Sequence, residues 1–205
     1  MIQKHPTAEG LVDFDEFCEL IPDGQKADLL GGVIYVASPD SIRSNTINSF
    51  LLTLIANYLG AREIDGFVFM SRVACRLSKF YAPEPDVGYV RPERATLVEE
   101  TRINGAPDIA VEIVAHDSRD RDYGEKREAY EAAGVEEYWI IDPLQKRCEF
   151  LRLVDGTYEV VPLEQNTIFR SSVIPGFWLK VDWLLAKPLP TAWSCAHEVL
   201  ADDAK

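Results

Sequence analysis

Two stretches decide the fold, Asp108-Ile109-Ala110-Val111-Glu112-Ile113-Val114 and Glu137-Tyr138-Trp139-Ile140-Ile141-Asp142-Pro143. Both are apolar, β-branched or aromatic runs of strand length, and the second ends at a proline. Between them, residues 118–133 read as a helix that starts at Asp117 or Ser118 and stops at Gly134, where a left-handed residue is easiest. A strand, a helix and a strand in close succession place the chain in the α/β class.

Working outward from that unit, residues 86–90 form a preceding strand, and residues 67–77 alternate as a half-buried strand would. Upstream lies the clearest helical pattern, with Ile47, Phe50, Leu51, Leu54, Ile55, Tyr58 and Leu59 at three-four spacing. It is expected to open at Ser38-Pro39 and close at Gly60, with one face on a sheet. Residues 29–36 read as an apolar strand bent at Gly31-Gly32, and residues 12–20 as a short acidic helix closed by Pro22-Asp23-Gly24. Downstream, residues 147–153 and 158–161 flank Asp155-Gly156 as a hairpin, followed by a frayed tail. One domain over residues 1–205 is expected, with its core at about 25–145 and the hairpin and tail at 146–205.

Composition supports a packed core: of 205 residues, 47% are hydrophobic, with four Trp and nine Phe. The four cysteines, Cys18, Cys75, Cys148 and Cys195, are too dispersed for a zinc pair or a disulfide framework and are expected to be buried thiols. No signal-peptide stretch and no run of about 18 apolar residues is present, so a soluble, cytoplasmic protein without a membrane partner is expected. The net charge of −13 argues against a general nucleic-acid surface. It is uneven, however: residues 62–94 carry six basic against five acidic side chains, and residues 95–142 carry five basic against thirteen acidic. An acidic shell attracts cations while the nearly neutral region is left to face a polyanion.

Candidate chemistry lies within the acidic region. Alternation puts Asp108, Ala110, Glu112, Val114 and His116 on one face of their strand. If the 86–90 strand is a neighbour, Asp86 and Glu112 approach closely enough to hold one oxygen-loving cation. On the helix, Tyr123, Lys126, Tyr130 and Ala133 form one inward stripe, so a lysine points at the sheet and needs a carboxylate or anion there. Such a trio suits metal-dependent phosphodiester hydrolysis, in which two acids fix the metal and a lysine stabilises charge or orients water. The plain alternative is that Asp86 caps a turn and Glu112 merely pairs with Lys126. Asp108 reads as a strand-start turn residue, His116 as a solvated loop residue, Trp139 as core, and His5 and His197 as parts of frayed ends. No P-loop, dinucleotide fingerprint or nucleophile elbow is present.

The stretches Pro85-Asp86-Val87-Gly88-Tyr89-Val90, Gly105 to Val114 and Gly124 to Pro143 closely resemble the Uma family of restriction-endonuclease-type proteins, a branch of the PD-(D/E)XK nuclease superfamily. The likeness runs more weakly from Asp15 to Pro175-Gly176. It implies a restriction-endonuclease-like mixed β-sheet flanked by helices, magnesium or manganese as cofactor, and DNA as substrate. It also implies roles: Asp86 and Glu112 as metal ligands and catalytic acids, the Ile113 backbone carbonyl as a further ligand, and Lys126 as the catalytic lysine, since Val114 stands at the usual lysine position. Three positions depart from the family pattern: Asp28 where a glutamate that could reach the metal is usual, Ser44 for a histidine, and Ala115-His116 for Ser-Pro. A homodimer through the long helix or the hairpin is expected, because cutting both strands of a duplex asks for paired sites. The rival expectation is a catalytically idle descendant serving as an interaction or nucleic-acid-binding module, favoured by the acidity and by Ala115-His116.

Overall fold

The computed structural model describes residues 10–22 and 24–202. In chain order the elements begin with α1 (Phe14–Leu20), the hairpin β1 (Ala27–Leu30) and β2 (Val33–Val36), and the long helix α2 (Ile42–Ala61). Next come β3 (Phe67–Met70), β4 (Ala74–Cys75), β5 (Val87–Val90), a 3-10 turn at Pro92–Leu97, β6 (Arg102–Ile103) and β7 (Ile109–Ile113). Helices α3 (Arg119–Tyr123) and α4 (Glu125–Ala133) lead to β8 (Glu137–Asp142), β9 (Arg147–Val154) and β10 (Thr157–Val160). The chain closes with β11 (Ile168–Arg170), β12 (Trp178–Lys180), α5 (Val181–Leu185) and α6 (Ala192–Asp202).

The central sheet has six strands in the order β10-β9-β8-β7-β5-β3. Only β7 and β8 run parallel, joined by α3 and α4 as a strand-helix-strand crossover requires; every other neighbour is antiparallel. Alternation along β7 sends Ile109, Val111 and Ile113 into the core under α2 and turns Ala110 toward the face covered by α4. Glu112 shares the Ala110 face, and the sheet buries it to 2% exposure.

Several sequence expectations need correction. Helix α2 opens at Ser41, whose hydroxyl accepts the Ser44 amide at 2.9 Å, not at Ser38-Pro39, and it runs past Gly60 to Ala61. Residues 67–77 are two strands: the backbone turns at Arg72, with φ of 69°, after which β4 pairs with β6 outside the main sheet. The bend at Gly31-Gly32 is a hairpin turn between β1 and β2. Residues 118–133 are two helices broken at Gly124. A Cβ at that position would stand 2.8 Å from the Asp120 carbonyl oxygen, a contact only glycine avoids. Gly134 does close α4 in the left-handed region, with φ of 82°.

The C-terminal segment is no frayed tail. Phe169, Phe177, Trp178, Leu179, Leu184 and Val199 complete the core under α2, and His197 lies in α6 with its ring edge-on to Trp193. Trp139 is core as expected, with Phe150, Phe169 and Phe177 around its ring. Among the cysteines, Cys75 and Cys195 are buried and Cys148 half-buried, whereas Cys18 is exposed. His5 lies outside the described residues, as does Asp23 of the 22–24 turn.

Candidate active site

At the ends of β5 and β7, Asp86, Glu112 and Lys126 meet as the alternation required, and two more charged residues from the β1 hairpin join them. Asp28, Asp86, Glu112, Lys26 and Lys126 all line one cavity of about 40 Å³, together with Ile113, Ser118 and Arg121. That volume admits an ion or a few waters.

Lys126, 2% exposed, places its Nζ 2.9 Å from Asp28 Oδ2, 3.1 Å from Glu112 Oε2 and 3.6 Å from Asp122 Oδ1. The break at Gly124 still leaves Asp122 and Lys126 four residues apart on one side of the crossover. Glu112 Oε1 accepts the Tyr130 hydroxyl at 2.9 Å, so the inward stripe supplies two contacts to that carboxylate. Asp28 Oδ1 accepts the Glu84 amide at 2.9 Å, and Glu84 Oε2 accepts the Ala27 amide at 3.1 Å. This reciprocal clamp joins β1 to the segment leading into β5.

Of the two acids expected near Lys126, Glu112 meets it and Asp86 does not. Asp86 instead faces Lys26, with Nζ 2.5 Å from Oδ1, while its Oδ2 accepts the Ile113 amide at 2.7 Å. The main-chain contact of Ile113 to the acids is thus through its N–H. Sequence reading also passed over Lys26, Asp122 and Glu84. Each had a signal: Lys26 stands two residues before Asp28 and Glu84 two before Asp86, the spacing of one strand face, and Asp122 stands four before Lys126 on a helix.

Four buried carboxyl groups, Asp28, Asp86, Glu112 and Asp122, therefore share two ammonium groups, and the buried Glu84 stands beside them on the Ala27 amide. Burial pushes Glu112 up against the pull of Lys126, and burial with the nearby Asp28 holds Glu84 at about 8. Burial likewise raises Asp122. Asp28 moves the other way: burial opposes its charge, but Lys126 and Lys26 outweigh it. Burial also works against the Lys26 ammonium, and Asp86 and Glu112 overcome it, so its proton is held more tightly than in an ordinary lysine. The donors lining the cavity are hard oxygens, the chemistry that magnesium and manganese take, and the excess of acid over ammonium suits a divalent cation.

The remaining candidates lie outside the cavity. Asp108 is structural, accepting the Arg91 amide at 2.8 Å and Arg94 Nη1 at 2.9 Å. His116 is exposed on the loop after β7. The basic residues of 62–94 do not form one open face: Arg91 and Arg94 serve Asp108 and Glu136, Lys79 is 3.7 Å from Asp13, and Arg76 lies over the Phe14 ring. At the cavity mouth, Ser38 donates to Asp117 at 2.8 Å. Arg121 rests over the Tyr35 ring at 4.9 Å, and among the described residues its buried Nε has no hydrogen-bond partner.

With this geometry in view, a family model described as "Uma2: Putative restriction endonuclease" matches residues 12–182, most of the chain. The chain belongs to the Uma2 family. A solved structure described as a "putative nuclease belonging to DUF820 from Anabaena variabilis ATCC 29413" superposes with a TM-score of 0.69 at 19% identity, covering 85% of this chain and 97% of that one. No curated protein matches. The matched family region contains every residue of the cavity as well as β11, β12 and the start of α5, so in this Uma2 protein the cavity lies inside the matched region. The mixed sheet flanked by helices is thereby shared with a nuclease-type neighbour.

Proposed function

We propose that this Uma2 protein is a divalent-metal-dependent endonuclease that hydrolyses DNA phosphodiester bonds. The observation that carries the reading is the convergence of Asp86, Glu112, Asp28 and Lys126 on one small, oxygen-lined cavity within the family fold. Asp86 and Glu112 would hold magnesium or manganese, with Asp28 and the Ile113 carbonyl as further donors. When bound, the cation polarises the phosphate and lowers the pKa of a water. Lys126 is held inward by three carboxylates and supplies fixed positive charge beside the reacting phosphate. Tyr130 fixes one Glu112 oxygen and leaves the other to the cavity side. Arg121, which lines the cavity with its guanidinium 4.9 Å from the Tyr35 ring centroid, would offer its charge to a backbone phosphate.

The second reading, an idle nuclease-fold module that binds DNA or a protein partner, draws on the net charge of −13 and on a cavity whose carboxylates already hold ammonium groups. Incubation of the full chain with plasmid and single-stranded DNA, in magnesium, manganese or EDTA, separates the two. Cutting in metal and none in EDTA is expected of the enzyme; binding without cutting in any metal would leave the idle module.

A cytoplasmic homodimer belongs to the same proposal, and no helix among the described residues is long and apolar enough to cross a membrane. The apolar face of α2 is spent within the chain on the sheet and α6, so the hairpin is the better candidate surface. Strand β10 is a sheet edge, with Val160 60% exposed.

A further inference from the structure

The sharpest unassigned feature of the cavity is Lys26, and its role rests on the metal-dependent reading of the site. Among the described residues no three acidic, histidine or cysteine side chains stand together as a ready cation cage. Asp86 Oδ2 is committed to the Ile113 amide, and Oδ1, the oxygen that would take a cation, has the Lys26 ammonium 2.5 Å away and the Ser71 hydroxyl at 3.5 Å. Lys26 comes from the start of the β1 hairpin, whereas Asp86 leads β5, so the ammonium ties together two elements that a metal ion would otherwise bridge.

The two lysines are not equivalent. Lys126 is 2% exposed and enclosed by Asp28, Glu112 and Asp122. The Lys26 side chain is 16% exposed and has Asp86 as its one ion-pair partner among the described residues. Its four-carbon stem lets the charge move while the backbone stays in place. An ammonium and a divalent ion cannot share one carboxylate oxygen at contact distance without strong repulsion. We propose that Lys26 is an internal counter-ion that competes with the divalent cation for Asp86, so that metal enters by displacing an ammonium instead of filling an empty cage. Lys26 is then a positioning residue: it holds Asp86 in place before metal arrives and sets how much metal the site demands.

The test is calorimetric titration of manganese into the full chain without DNA, comparing wild type with Lys26→Met and Lys26→Gln. The glutamine variant keeps a hydrogen-bond donor to Asp86 without the charge, so it reports even if the methionine variant fails to fold. Both are expected to bind manganese about tenfold or more tightly than wild type, because a like charge at contact distance has been removed. Unchanged or weaker binding by folded variants would overturn the inference, since a residue that merely braces Asp86 would loosen the site when lost. If wild type and both variants all fail to bind manganese, the metal-dependent reading falls and the inference falls with it. Wild-type binding with no tightening in the variants sinks the counter-ion role alone.

Discussion

Lys126 is the residue on which the buried charge balances, because it is the nearest cation to Asp28 and Glu112 at once. Its place was readable from a three-four-three stripe, since a lysine among Tyr123, Tyr130 and Ala133 has nowhere to point but inward. The identity of its partners was not, because which acids meet across strands depends on register and on a hairpin 98 positions away in sequence. Replacing Lys126 with Met leaves these acids unpaired and is expected to lower stability by about 3–5 kcal/mol in urea denaturation. A loss under about 1 kcal/mol would mean the acids relax by taking up protons. Tyr130→Phe should cost less, about 1–3 kcal/mol, by leaving one Glu112 oxygen without its donor. Arg121→Ala is expected to weaken duplex DNA binding at every sequence and to reduce the salt dependence by about one phosphate contact, measured by anisotropy across a salt series. Unaltered binding would remove Arg121 from the DNA surface.

At the scale of elements, the period-two and three-four patterns located the strands and helices from α1 to β10 apart from β6, with three pairs merged, and passed over β11, β12, α5 and α6; the merged runs fall where backbone geometry turns without proline. The 67–77 run kept its alternation through Arg72 even though the chain changes sheets there. The 118–133 helix kept its stripe through Gly124 even though two helices meet at that point. Side-chain periodicity cannot report a backbone break that leaves the same faces buried. The break at Gly124 has a consequence that can be measured. Gly124→Ala forces a Cβ against the Asp120 carbonyl and is expected to destabilise by about 1–3 kcal/mol. Gly134→Ala, in open space but at positive φ, should cost about 1 kcal/mol. Thermal melts that rank the two in the opposite order would contradict the role assigned to the break.

For the whole molecule, the C-terminal third supplies half of one core, which its sequence did not announce. Short, dispersed apolar pairs such as Phe177-Trp178 and Trp183-Leu184 lack a period of their own, and their burial depends on the α2 face they meet. Trp139 joins the two parts through Phe150, Phe169 and Phe177, so Trp139→Ala is expected to cost about 3–5 kcal/mol. The acidity of the chain, by contrast, was legible from composition and is partly spent inside the molecule, where Asp28, Asp86, Glu112 and Asp122 pair with two lysines. That excess of buried acid over ammonium is what the proposed cation site would draw on. The most direct measurement is therefore cleavage of supercoiled plasmid in magnesium or manganese by wild type, Glu112→Gln and Lys126→Met, each first shown to be folded. The account predicts metal-dependent nicking by wild type and its loss in both variants; cutting that persists in Glu112→Gln, or that needs no metal, would contradict it.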